Sequence, residues 1–341
     1  MYLSLYSVET MNISLPLNAT RHNWSALQPN LTLWLSCMLL LCCIGTIITF
    51  TLLLMFLIKE SLRNAVGYLT ASYLFSNLLM LSINMPVYCI SVFFSLSHST
   101  PIAHCEHTYY FFMVNTHSLY YSWFFIAIHQ LVAIFFPFAF HQLTSYKLVG
   151  LKIVLTWLIP LIINLPVRLG YGGRYIPGGP FGACMVELSK NPYPNILVFL
   201  GVYIPSVFVQ AVYVAVLVKF AALRVSRRRV WSVSVTSDRL GLSLACTPRR
   251  QFALQRSSVA LHPAVTRMVV SFLYISCFVI FMLTRLYDRQ DFLAMPVLEL
   301  WIMAFFIAPY VLSVIILAAS LRLTRIKESR SRGRLSPGHK N

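Results

Sequence analysis

The sequence predicts an all-helical membrane protein: a seven-transmembrane helix bundle with its N-terminus outside and its C-terminus inside. Three observations support this fold class: an apolar composition, seven long apolar runs, and basic charge concentrated in two segments. Of the 341 residues, 58% are hydrophobic and 11% are charged, whereas a soluble globular domain carries about 25% charged residues. This composition argues against a soluble enzyme, a disordered chain and a disulfide-rich secreted miniprotein.

Each apolar run approaches or exceeds the roughly 20 residues that a helix needs to cross a bilayer. Polar or basic breaks separate the runs, which we number one to seven. They cover about residues 31–58, 65–96, 105–136, 148–165, 196–218, 264–286 and 292–319. The predicted parts of the chain are a glycosylated extracellular segment (1–30), the bundle (31–320) with a basic inner loop (221–263), and a basic cytoplasmic tail (321–341).

The positive charge is unevenly placed along the chain. Two segments, Lys219 to Arg267 and Arg322 to Lys340, hold 15 of the 18 net positive charges. Lys and Arg flanking apolar runs are typical of the cytoplasmic side, so both segments should be cytoplasmic. They could bind anionic lipid of the inner leaflet at about 1 kcal/mol per basic residue. Nucleic-acid binding is the weaker interpretation, because no recognition fold precedes these segments.

The N-terminal segment supports the same orientation. Four Asn-x-Ser/Thr sequons precede run one, at Asn12, Asn18, Asn23 and Asn30. Because glycosylation takes place on the lumenal side, this cluster indicates an extracellular N-terminus. The first residues lack the basic start and long apolar core of a signal peptide, so run one should act as the signal anchor. We expect a multi-pass protein of the plasma membrane.

Polar side chains recur on one helical face in runs two and three. In run two they are Tyr73, Asn77, Asn84 and Tyr88, and in run three Thr108, Asn115, Ser118, Ser122 and His129. Since polar groups are costly in hydrocarbon, both faces should point into the bundle. Hydrogen bonding between helices is the favoured explanation for any single residue, and contact with a ligand is the other.

The predicted polar core and ligand pocket draw on these faces and on other runs. The core prediction comprises Asn77, Asn84, Ser122, Pro205, Tyr213 and Pro309, and the pocket candidates are Tyr88, Thr108, Asn115, Tyr203, Tyr274 and Glu299. Glu299 is the only acid deep in an apolar run; it is either a ligand partner, a carboxyl kept neutral by burial, or a hydrated group near the outer boundary. Pro86, Pro205 and Pro309 can kink their helices, as signalling proteins and transporters both require.

The cysteines suggest one disulfide and no metal site. Cys37, Cys42, Cys43, Cys89 and Cys277 lie in apolar runs, and Cys246 lies in the basic inner segment, where thiols stay reduced. Cys105 and Cys184 are left as the obvious outer pair, and a bridge would tie the loop before run five to run three. We find no cofactor motif, zinc spacing or catalytic signature, and predict that the chain is not an enzyme.

Two stretches resemble the rhodopsin-like G-protein-coupled receptors, and more narrowly the nematode serpentine chemoreceptors of class X. The first is the inner turn Ser61-Leu-Arg-Asn followed by Ala71-Ser and Asn77. The second is Ile128-His-Gln-Leu-Val-Ala-Ile-Phe-Phe-Pro137, which is similar to the family's Leu-Asn-Arg-Phe-Val-Ala-Ile-Tyr-Phe-Pro. The spacing from Cys105 to Gln130, and from Pro205 to Tyr213, also matches the family.

The same resemblance exposes departures that bear on coupling. The family's acidic-Arg-aromatic motif is His129-Gln130-Leu131 here, and Gln cannot supply the fixed charge of Arg. In run seven, Ala308-Pro309-Tyr310 stands where the family has Asn-Pro followed by a tyrosine three positions on. These changes make coupling to a heterotrimeric G protein doubtful.

Three functions remain open on the sequence. The leading one is a chemosensory receptor that transduces binding of an unknown small molecule or peptide across the plasma membrane. The second is a receptor-like protein that no longer couples and acts as a decoy or as a homo- or heterodimer partner. The third, a transporter or channel, is remote because the sequence shows no internal repeat.

Overall fold

A computed structural model of the chain describes residues 24–98, 105–136, 140, 144–171, 173, 175–178, 183–186, 193–239, isolated positions from 269 to 304, and 307–322. The predictions made for Asn12, Asn18, Asn23, Tyr274 and Glu299, and for most of run six, lie outside the described residues.

The described part of the chain is helical apart from one short hairpin. Its helices are α1 (Trp24–Ile58), α2 (Ala65–Leu79), α3 (Met85–His98), α4 (Cys105–Phe135), α5 (Tyr146–Arg168), α6 (Tyr193–Val198), α7 (Ile204–Arg239) and α8 (Ile307–Arg322). Among these residues, five helical stretches are long and apolar enough to cross a membrane: Pro29–Ile58, Ala65–Phe94, Glu106–Phe135, Tyr146–Arg168 and Ile196–Ala222. They confirm the helical membrane fold for runs one to five, and α8 covers the second half of run seven and continues three residues beyond it.

Two of the spanning stretches contain a π-helical turn. Met80–Asn84 joins α2 to α3, and Phe199–Tyr203 joins α6 to α7. Each turn ends two residues before a proline, Pro86 or Pro205. A proline removes one backbone hydrogen bond, and its ring crowds the carbonyl of the preceding turn. The wider π-turn relieves that crowding, so both prolines distort their helices as predicted, but through an inserted residue.

Two helix ends are set by local sequence signals. The Asn64 side chain caps α2 by accepting a hydrogen bond from the Gly67 amide at 2.9 Å, as N-cap residues do. At the end of α5, Gly170 adopts φ 81°. The Gly170 amide donates to the Val167 carbonyl and the Tyr171 amide to the Pro166 carbonyl, which is the Schellman arrangement.

The glycine-rich segment after α5 forms a hairpin beside α4. Strands β1 (Tyr175–Gly178) and β2 (Ala183–Val186) pair antiparallel, with Pro177 opposite Cys184. Both strands contact α4, and β2 also contacts α3. At the same end, the Arg168 guanidinium donates to the Glu106 carboxylate at 2.8 Å. The sequence predicted only a loop before run five in this segment.

Helix α4 is the central element of the described bundle. It packs against α2, α5 and α7. Its membrane-spanning stretch is the most buried of the five, with 56% of the residues buried, compared with 22% in α5. Helix α7 continues beyond its membrane-length part to Arg239. Residues 221–239, predicted as the start of a loop, are therefore helical.

Replacing Gly170 with alanine should destabilise the fold through backbone strain alone. An added methyl group meets no atom within 4 Å at Gly170 or at Gly150 of α5, but only Gly170 has a positive φ. Left-handed backbone costs an L-residue about 1–2 kcal/mol, whereas Ala is favoured over Gly within a helix by about 1 kcal/mol. Thermal denaturation in detergent should show a lower midpoint for Gly170→Ala and an equal or higher one for Gly150→Ala. An equal decrease of the denaturation midpoint in both variants would contradict this account of the C-terminal end of α5.

Candidate functional site

A cluster of hydrogen bonds around Asn77 joins three helices in the middle of the bundle. The fully buried Asn77 amide donates to the Thr49 hydroxyl of α1 and to the Tyr310 carbonyl of α8, both at 3.3 Å. The Tyr73 hydroxyl donates to Ser313 at 2.7 Å, and Ser313 donates to the Tyr310 carbonyl at 3.0 Å. We call these five residues the Asn77 junction. It pairs polar groups of α1, α2 and α8 where no solvent could do so.

Helix α4 is tied to the same region by Asn115. Its amide donates to the Ser76 carbonyl of α2 at 3.1 Å, so this pocket candidate serves a contact between helices. The α4 residues Asn115, Ser118, Ser122 and His129 are all buried, in agreement with the predicted polar face. Ser118 and Ser122 donate to carbonyls of their own helix, four residues back.

The α2–α3 face fits the prediction less well. Tyr73 and Asn77 are buried, but Asn84 and Tyr88 are only half-buried. The seven-residue step from Asn77 to Asn84 would repeat one face of an uninterrupted α-helix. The π-turn at Met80–Asn84 uses an extra residue to complete one turn. Asn84 and Tyr88 are therefore rotated away from the face that carries Tyr73 and Asn77.

An aromatic wall lies at the hairpin end of the bundle. Tyr88 of α3 stacks on Phe112 of α4 with ring centroids 5.7 Å apart, and Phe112 stacks on Tyr109 at 5.6 Å. Tyr109 in turn meets Tyr175 of β1 edge-on at 5.5 Å. These four rings form the aromatic wall. Such rings offer apolar faces and hydroxyl groups, which suits an apolar or cationic small molecule.

The two remaining pocket candidates in the described part of the chain, Thr108 and Tyr203, lie outside the aromatic wall. Thr108 is half-buried beside Tyr109. Tyr203 belongs to the second π-turn and is 42% exposed. Three residues of runs five and seven were predicted for the polar core, and all three are buried: Pro205, Tyr213 and Pro309.

The predicted coupling triplet lies at the opposite end of α4 from the aromatic wall. His129 is buried with its ring edge toward Phe140, 5.1 Å between centroids. Gln130 is 7% exposed, and its side-chain oxygen has no partner among the described residues. Leu131 is partly buried against the core. A glutamine here offers only a neutral donor and acceptor.

Sequence reasoning missed a polar contact among α4, α5 and the second π-turn. Asn164 of α5 donates to His117 of α4 at 2.9 Å, and both side chains are fully buried. One turn further along α4, the Tyr121 hydroxyl donates to the Leu200 carbonyl at 3.1 Å. A lone amide in run four was the available signal, since a polar group in hydrocarbon requires a partner. In the described part of the chain, no cluster of His, Cys, Asp or Glu could hold a metal ion.

Removing the Asn77 amide should destabilise the bundle far more than removing an outward-facing polar group of the same span. Asn77→Ala leaves the Tyr310 carbonyl and the Thr49 hydroxyl short of a donor, at a cost of about 1–3 kcal/mol. Exposed Ser82 bonds only the Leu78 carbonyl of its own helix, and makes Ser82→Ala a matched control. Thermal inactivation in detergent should accelerate for Asn77→Ala and stay near wild type for Ser82→Ala. Similar rates for the two variants would rule out a structural role for the junction.

Comparison with known proteins assigns this architecture to a family. The chain superposes on the crystal structure of squid rhodopsin with a TM-score of 0.65 and 16% identity, covering 91% of this chain and 86% of that one. At that identity the likeness establishes the fold. No curated protein matches the sequence, and membership of nematode class X stays a prediction. The profile of the seven-transmembrane receptors of the rhodopsin family matches residues 48–316. The chain therefore belongs to the rhodopsin family of G-protein-coupled receptors, and is a multi-pass membrane protein and not an enzyme.

Proposed function

We propose that the protein is a chemosensory receptor of the plasma membrane that binds a small molecule or peptide at its hairpin end. The observation that carries this proposal is the aromatic wall, in which α3, α4 and β1 contribute four rings, each in contact with the next. A ligand seated there would touch two helices and the hairpin at once. It could favour one packing of the bundle by binding that packing more tightly.

The orientation follows from the sequence. The sequon cluster places the N-terminus, and with it the hairpin end, outside the cell; the basic segments place the other end inside. A Cys105–Cys184 disulfide fits this arrangement, because α4 begins at Cys105 and β2, which carries Cys184, contacts α4. The bridge would hold the hairpin over the aromatic wall by limiting its conformations.

The π-turns give a physical route from the wall to the opposite end. One of them lies between Tyr88 of the wall and Asn77 of the junction, within a single membrane-spanning stretch. A π-turn interrupts the regular hydrogen bonding of the helix, and such turns are frequent at functional sites. On this proposal, ligand contact at Tyr88 would alter the turn and change how α2 packs on α8.

The Gln130 side chain favours a second candidate function. A receptor-like protein that no longer couples would serve as a decoy or a dimer partner. The buried, neutral Gln130 side chain supports this candidate, since it cannot form the charge-assisted bonds of an arginine. A heterotrimeric G protein is the partner if coupling persists.

The extension of α7 suggests an interaction with anionic lipid. The helix continues 17 residues beyond Ala222, or about 25 Å at 1.5 Å per residue. Arg224, Arg227, Arg228 and Arg229 lie within its first two turns past the membrane-length stretch. At 100° per residue, Arg224, Arg227 and Arg228 fall within one 100° arc of the helix and Arg229 lies a further 100° round. This helical extension therefore concentrates basic positions on one side, where anionic headgroups could bind them.

If a ligand binds at the aromatic wall, replacing two neighbouring aromatic residues, Tyr109 and Phe111, should change the response to that ligand very differently. Tyr109 belongs to the wall, whereas Phe111 is 61% exposed on the outside of α4. A library of small organic molecules and peptides is screened on cells that report receptor activation, after surface delivery is confirmed. Tyr109→Ala should weaken the response to an active compound by tenfold or more, corresponding to about 1.4 kcal/mol, and Phe111→Ala should not. Equal potency on both variants would place the ligand elsewhere, and ion currents or substrate flux would favour the channel or transporter alternative.

Restoring the arginine tests coupling separately. If the degenerate triplet blocks G-protein engagement, Gln130→Arg should raise basal or ligand-driven nucleotide exchange above wild type at equal surface expression. Gln130→Asn, which keeps a neutral amide, is the matched control and should stay at the wild-type level. Strong signalling by the wild type, unchanged in Gln130→Arg, would refute the non-coupling candidate.

A further inference from the structure

The inner ends of α4 and α7 meet through an ammonium group and an aromatic ring. Lys219 Nζ lies over the Phe135 ring, 4.8 Å from its centroid. This distance is within the roughly 6 Å over which a ring face attracts a cation. Lys219 forms no ion pair with any described residue, and both side chains are half-buried. Attraction to the ring is therefore the specific contact that this charge makes in the described part of the chain.

The register of the two helices shows that this contact belongs to their packing seam. Nearer the hairpin end, Phe124 of α4 meets Phe208 of α7 with ring centroids 4.6 Å apart. Phe135 lies eleven residues after Phe124, and Lys219 lies eleven residues after Phe208. Eleven residues rotate an α-helix by about three turns and 20°, so each helix returns the same face to the seam. A lysine thus occupies the position that an aromatic residue occupies three turns earlier.

The positions at helical spacing between these two contacts are apolar. Val212 and Val216 of α7 are buried, and Ile128 and Leu131 of α4 pack partly buried against the same core. Both partners of the lysine–ring contact lie within three residues of the inner ends of their spanning stretches. The lysine stem can therefore lie along the apolar seam while the ammonium reaches the boundary. Partial loss of hydration there strengthens its attraction to the ring.

We propose that Lys219 and Phe135 form a latch that holds the inner end of α7 against α4. Gln130 brings no charge to this end of α4, so the latch supplies the charged contact between the two helices. It goes beyond the proposed function, because it requires neither a ligand at the aromatic wall nor a cytoplasmic partner.

The latch also sets the direction of the helical extension of α7. The helix continues without a break to Arg239, which lies 20 residues beyond Lys219, or about 30 Å at 1.5 Å per residue. A small tilt of α7 at the latch therefore becomes a large displacement at the end of the extension. With the latch closed, the extension keeps one direction relative to the bundle; with the latch broken, it samples several.

NMR of the purified full chain, after reductive ¹³C-methylation of its lysines, tests the contact directly. A dimethylated lysine keeps its positive charge, and a methyl group above an aromatic ring resonates upfield of one in solvent. The Lys219 signal, assigned by its loss in Lys219→Arg, should lie upfield of the signal of Lys147, which is exposed on α5. Phe135→Leu should abolish that upfield shift.

The neighbouring Phe136 provides the matched control. Its side chain is 60% exposed, so Phe136→Leu should leave the Lys219 signal where it is in the wild type. A wild-type Lys219 signal that coincides with that of Lys147 overturns the latch. A Lys219 signal that is unchanged in Phe135→Leu overturns it equally.

A second series retains the native ring shape and serves even if Phe135→Leu does not fold. Phenylalanines with one, two and three ring fluorines replace Phe135, because fluorine withdraws negative charge from the ring face with little change in size. The upfield shift of Lys219 should decrease with each fluorine as the ring attracts the cation less. A constant shift across the series would show that packing alone positions the lysine, and would refute the proposal.

The direction of the extension is measured with a pair of spin labels in a chain whose reactive cysteines are replaced. One label replaces Tyr146, which is 74% exposed at the start of α5, and the other replaces Arg239. The distance distribution should broaden in Phe135→Leu and stay as in the wild type in Phe136→Leu. Identical distributions in all three chains would contradict control of the extension by the latch. Neither this readout nor the NMR signal depends on receptor activity, so failure of the proposed function would leave both results interpretable.

Discussion

Hydrocarbon offers no hydrogen-bond partners, and this constraint explains why buried polar side chains of the described bundle bond across helices. Asn77 is the clearest case. It is completely buried, and it bonds a hydroxyl of α1 and a main-chain carbonyl of α8. A single amide thereby connects α2 to α1 and to α8, which is more than 200 residues further along the chain.

Tyr88 of the aromatic wall and Asn77 of the junction lie in one membrane-spanning stretch, with a π-turn between them. On the function we propose, a ligand at the wall would therefore act on the same stretch that the junction ties to α1 and α8. The neutral Gln130 lies at the far end of α4, where the proposed loss of coupling would arise.

The sequence predicted the helices and the buried face of α4 because hydropathy and the 3.6-residue period act locally. It could not predict the orientation of Asn84 and Tyr88, since a π-turn breaks the period without changing the composition. The His117–Asn164 contact depends on how α4 meets α5, which no spacing within one helix encodes. The hairpin at 175–186 and the helical extension to Arg239 were likewise missed, because turn-forming glycines and basic residues suit several structures.

A double-mutant cycle between Thr49→Val and Asn77→Ala tests the central claim most directly. Unfolding free energies of the wild type, both single variants and the double variant would be measured in the same detergent or lipid. If the Asn77 junction holds α1 to α2, the two changes should be coupled by about 0.6 kcal/mol, the average found for hydrogen bonds between membrane helices, and by no more than about 1.7 kcal/mol, the maximum. Additive effects, within about 0.3 kcal/mol, would contradict the account.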